Sequence, residues 1–175
     1  MIGVSTDEGN ISTDISNLTT GDQDLAANVS STQNDLQSLQ SELAQTRSDA
    51  KSDPVEVCGD ADIVGGDEDI LGGDQDSYQG DLTANQPNVS SAQQDLASLR
   101  SDWGSLIAAE SADPTYVPSG GLPTSDDETS AFSAGSSALA KYQQTVTADT
   151  KTIAGYLAQG NTYVTQANNL CSSSG

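Results

Sequence analysis

The side chains capable of chemistry are few in kind. Two cysteines, Cys58 and Cys171, stand 113 positions apart, and there is no histidine in the 175 residues. Without histidine there is no histidine-based triad, no imidazole acid–base pair and no usual zinc site. Two thiols so far apart make a poor metal or redox pair, and their natural chemistry is a disulfide. Carboxylates are the only abundant reactive groups, 20 Asp and 6 Glu against five basic residues. A carboxylate pair can hydrolyse glycosides, but aromatics are only 4% of the chain, too few to build a sugar platform. Neither a P-loop nor a GxGxxG run occurs. The expectation is therefore no enzyme, no catalytic residue and no cofactor.

One acidic stretch, "DIVGGDEDILGGDQDSYQGD", places Asp67, Asp69, Asp74 and Asp76 beside Gly-Gly pairs, in the manner of a calcium loop. It departs from the EF-hand loop, because Leu71 stands before Gly72. It departs from the nonapeptide roll as well, because its period is seven. In a helix these four aspartates point partly apart, and a solvated face is the expected reading, with calcium the alternative.

The elements that must carry these groups follow from apolar spacing. From Ile11 the positions step alternately by four and three: Ile15, Leu18, Asp22, Leu25, Val29, Thr32, Leu36, Leu39, Leu43, Thr46, Ala50. That is the 3.5-residue seam of a packed helix. Low hydrophobicity with a net charge of −21 is also the composition of disordered chains, but disorder gives no reason for such a register. A third segment repeats the spacing through Phe132, Leu139, Tyr142, Val146, Ile153, Tyr156, Tyr163, Ala167 and Leu170, with Gly135, Asp149 and Gly160 as weak layers. The middle segment has a good seam in its second half: Leu82, Asn85, Val89, Ala92, Leu96, Leu99, Trp103 and Leu106. Trp103-Gly104 lacks the intervening residue of the WXG hairpin motif, and Trp103 is read as core.

In the first half of that segment Ile63-Val64, Ile70-Leu71 and Ser77-Tyr78 recur every seven residues, as do Gly66, Gly73 and Gly80. Each helical glycine costs about 1 kcal/mol relative to alanine. Their period predicts a groove on one helix face, with Tyr156 and Tyr163 lying over Gly73 and Gly66. Pro87 is expected to kink this helix. Segments Asn28–Ser41 and Asn88–Ser101 match at ten of fourteen positions, sixty residues apart, which points to duplication of a helical unit.

The predicted fold is all-α: an elongated antiparallel three-helix bundle, up-down-up with coiled-coil-like packing, as a single domain over 1–175. Helices are expected near 7–52, 61–112 and 126–170, with linkers at 53–60 and 113–125 and a disordered tail at 172–175. That path brings Cys58 and Cys171 to the same end, where a disulfide would imply an oxidising compartment.

The Ala/Ser/Thr/Asp-rich helices, the preference for Asp over Glu and the lone cysteine pair resemble uncharacterised exported or lipid-anchored helical proteins of high-GC Gram-positive bacteria. A salt-adapted origin would account for the acid as well. The resemblance implies an extracytoplasmic location, secreted or tethered to the cell surface, with any signal or anchor lying outside this chain. The charge excludes nucleic acid, and no stretch is apolar enough for direct membrane insertion. Expected partners are a protein or a cationic envelope component. The functional expectation is a non-enzymatic structural or protein-binding module of the cell envelope. A helical-bundle sensor ectodomain and a subunit of an extracellular filament are the alternatives.

Overall fold

The computed structural model describes residues 2–112 and 125–174, all in or between three helices: α1 (Ile2–Ser52), α2 (Val57–Ala112) and α3 (Ser125–Ser174). No strand occurs among the described residues. The three helices pack pairwise into an all-α three-helix bundle. The helices are longer than expected. α1 begins at Ile2, and the first linker shrinks to 53–56, closed by the Asp53 carboxylate accepting from Val55 N–H at 3.3 Å. α2 continues through Pro87 as one unbroken helix. The tail expected to be disordered is helical through Ser174, where the Ser174 hydroxyl donates to the Leu170 carbonyl at 2.8 Å. The linker at 113–125 lies, but for its last residue, outside the described residues.

Packing divides the chain into two compact units, residues 1–23 with 83–145 and residues 24–82 with 146–175. In the first, Val4, Ile11, Leu96 and Leu99 form the core, flanked by Ile15, Trp103, Phe132 and Leu139. Its α3 segment presents Gly135, where a Cβ would fall 2.9 Å from Ile11 Cγ2 and 3.0 Å from Leu96 Cδ2. Gly135 is thus a slot for two aliphatic knobs and not a defect in the seam. Asp22, the weak layer of α1, is met by Lys141 Nζ at 3.4 Å.

In the second unit Leu36, Leu39, Leu43, Ala61, Val64, Leu71 and Ala167 form the core, with Tyr156, Tyr163 and Leu170 packed on it. Tyr78 is fully buried, and its hydroxyl donates to the Val146 carbonyl at 3.2 Å and lies 3.3 Å from Thr150 Oγ1. Thr32 and Thr46, also fully buried, each donate to the carbonyl four residues earlier, so neither hydroxyl is stranded.

The expected glycine groove is not where the tyrosines pack. Gly66, Gly73 and Gly80 are exposed, and a Cβ on any of them would meet nothing within 4 Å. Within each Ile-Val or Ile-Leu pair only one neighbour can face inward, because adjacent helical residues point about 100° apart. Val64, Leu71 and Tyr78 take the inward positions, which carries the glycines outward. The close approach is made instead by α3: a Cβ on Gly160 would fall 2.7 Å from Leu71 Cδ1.

Glycine substitutions should therefore divide sharply. Gly66→Ala and Gly73→Ala are each expected to raise stability by about 0.5–1 kcal/mol, because helix propensity is gained in open space. Gly21→Ala should destabilise, because the new Cβ would sit 2.6 Å from Cγ of the buried Asn85 amide. Urea midpoints of the three variants check this, and a common sign for all three would contradict it.

Candidate functional site

Where α1 meets α2, acids face acids. Asp7 and Asp14 are buried, 8% and 5% exposed. Burial pushes the Asp7 carboxyl above its ordinary range, helped by the negative charges of Asp102 and Asp95. Asp14 is likewise raised, first by burial and then by Asp95, while the neighbouring Ser91 hydroxyl opposes the shift. These four aspartates belong to the first unit.

The second unit repeats the arrangement. Asp74 is raised by burial and by Asp35 across the helix pair, with Thr32 and Ser31 opposing. Asp60 is raised by burial, by Asp49 and by Glu56 and Glu42. In the same unit the Asn28 amide donates to Asp81 at 2.7 Å.

The facing pairs Asp7/Asp102, Asp14/Asp95, Asn28/Asp81, Asp35/Asp74 and Asp49/Asp60 have residue numbers that all add to 109, as antiparallel helices in one heptad register require. Every seventh residue of α1 from Asp7 to Asp49, and of α2 from Asp60 to Asp102, is Asp, Glu, Asn or Gly. This ladder is the feature that apolar spacing missed. A search for polar residues at period seven finds it, because positions flanking a seam repeat with the seam itself.

Asp67, Asp69, Asp74 and Asp76, the stretch with calcium as its alternative reading, are helical. Asp67 and Asp74 are partly buried, whereas Asp69 and Asp76 are exposed. Among the described residues no three Asp, Glu, His or Cys side chains converge on a ready-made metal site.

Cys58 and Cys171 are joined in a disulfide, with their Cα atoms 4.6 Å apart. It ties the first turn of α2 to the last turns of α3 within the second unit. Beside it, an open depression of about 540 Å³ is lined by Arg47, Lys51, Pro54, Leu170 and Ser173. Near the Asp22–Lys141 pair the space is only about 40 Å³, far below the few hundred Å³ of a small-molecule pocket.

The solvent side of α2 carries a second pattern. Ile63 and Ile70 are 50% and 52% exposed. With Gly66, Gly73, Ser77 and Gly80 they form a second three-four stripe, turned away from the seam. Asp62, Asp69 and Asp76 run alongside it as exposed acids. Among the described residues no helix is long and apolar enough to cross a membrane.

Comparison with protein-family models, with curated proteins and with solved structures gives no match.

Proposed function

We propose that this chain is a non-enzymatic, extracytoplasmic structural or protein-binding module of the cell envelope, whose partner is a protein with a cationic, apolar helix face. The observation that carries this reading is the outer stripe of α2. Two half-exposed isoleucines a heptad apart, interleaved with glycines whose absent side chains serve no internal contact, make a shallow track. Glycine in the middle of a helix is unfavourable by about 1 kcal/mol, so three on one outer face fit a backbone that something must approach closely. The acidic margin favours a basic partner by charge complementarity. The disulfide supports an oxidising compartment.

A photo-crosslinker placed at Ile70, with a control at exposed Ser105, tests the proposal on the cells that make the protein. The expected result is one dominant adduct from position 70, bearing a basic segment and lost when Ile63→Asp is added. Equal labelling from both positions, or none from either, would remove the proposed docking face.

A further inference from the structure

The acid ladder leaves specific atoms without a partner. Oδ2 of Asp7 and Oδ2 of Asp14 are shielded from solvent and make no hydrogen bond. Their side chains are more than nine-tenths buried. A buried carboxylate oxygen without a donor is costly. A second carboxylate opposite it makes the cost larger, because like charges in a partly desolvated seam repel strongly. What faces Asp14 from α2 is the Asp95 carboxyl and the Ser91 hydroxyl, and what faces Asp7 is Asp102 and Asp95. Every one of these groups offers oxygen, and the acids among them offer negative charge. Of the first unit's cationic side chains, Lys141 is engaged with Asp22 and Arg100 lies over the Phe132 ring at 5.7 Å.

We propose that the α1–α2 seam of the first unit binds a divalent cation of the calcium type at Asp14 and Asp95, with the Ser91 hydroxyl and water completing its shell. Hard cations select such all-oxygen sets, and calcium tolerates an irregular shell of six to eight oxygens. Asp14 supplies the buried end of the site. Asp95, partly exposed, and Ser91, exposed, leave its outer edge open to solvent and to entry of the ion. The ion draws the Asp14 carboxylate from α1 and the Asp95 carboxylate and Ser91 hydroxyl from α2, and so clamps the two helices together. Asp7, one heptad along and within the field of Asp95, adds charge without needing to coordinate.

The test is a calcium titration of the full chain, beginning from chelator-treated protein, in enough NaCl to screen its diffuse charge. The thermal midpoint and calorimetric binding are both read. A saturable rise in the midpoint is expected for the native chain. Asp14→Asn should bind calcium at least about tenfold more weakly, in the range that loss of supporting groups costs metal sites. It should nevertheless fold more stably than the native chain in chelator, because a repelled charge is gone. Asp24→Asn, exposed on the same helix, should keep the native response. Identical responses from Asp14→Asn and Asp24→Asn would mean a diffuse ion atmosphere and overturn the site. No calcium response from the native chain, together with a midpoint that rises on acidification alone, would leave the proton as the only occupant and overturn it equally.

Discussion

Cutting the Cys58–Cys171 bond should cost this chain a large part of its stability. The bond closes a span of 113 residues, and the chain-entropy relation for a loop of that size gives about 4–5 kcal/mol, with measured native disulfides falling at about 2–5. A small domain has only about 5–15 kcal/mol in total. The core is mostly aliphatic, with Tyr78 and Tyr142 the buried aromatics among the described residues. The expected result is a markedly lower urea midpoint for the Cys58→Ser, Cys171→Ser double variant. Reducing the native chain should reproduce it. A midpoint unchanged by either treatment would mean that the ends of α2 and α3 are held by packing alone.

The second large effect is an inverted acid response. Asp7, Asp14, Asp60 and Asp74 all have carboxyls raised above the ordinary value of 3.8. The folded chain therefore binds more protons than the unfolded one as these groups titrate. Stability rises as pH falls through the raised folded values, is fully gained below 3.8, and is lost again as pH climbs back through that window. In chelator the thermal midpoint should accordingly increase from neutral pH toward pH values near those of the carboxylates. General charge relief acts in the same direction, so the variants separate the two. Asp14→Asn should be more stable than the native chain at neutral pH by about 1–3 kcal/mol, because a buried charge facing Asp95 is removed and an amide N–H takes its place as a donor. Its midpoint should depend less steeply on pH, whereas Asp24→Asn should follow the native slope. A native chain that loses stability steadily on acidification would contradict the seam as described.

Much of this fold is legible in residue order, and the reason is local. Ile11, Leu18, Leu25, Leu36, Leu39 and Leu43 of α1 occupy the buried positions that their spacing assigns, because one strong period admits one inward face. The disulfide is legible too, since three helices folded back on one another leave few places for two thiols. The first half of α2 is harder to read. Ile63 and Val64 are equally apolar, and only the partners across the seam decide which turns inward; Val64 is fully buried and Ile63 half exposed. The acid ladder is hidden for another reason. A search for apolar periodicity discards aspartate, and the positions flanking a seam become conspicuous only once the two helices are laid against each other.

The constant sum of the facing acids has a consequence for how the helices find their alignment. A ladder of like rungs is degenerate: sliding α2 by seven residues, about 10.5 Å along a helix, sets aspartate against aspartate again. Repulsion between rungs cannot choose among such slips, and leucines repeating at the same interval choose only weakly. The choice falls to the odd rungs. In the first unit Gly21 accepts the Asn85 amide, and Gly135 accepts Ile11 and Leu96. In the second, Asn28 bonds Asp81, Gly160 admits Leu71, and one sulfur bridge fits one position. These layers behave like the notches of a key, each worth little alone, and jointly they leave one slip that satisfies them all.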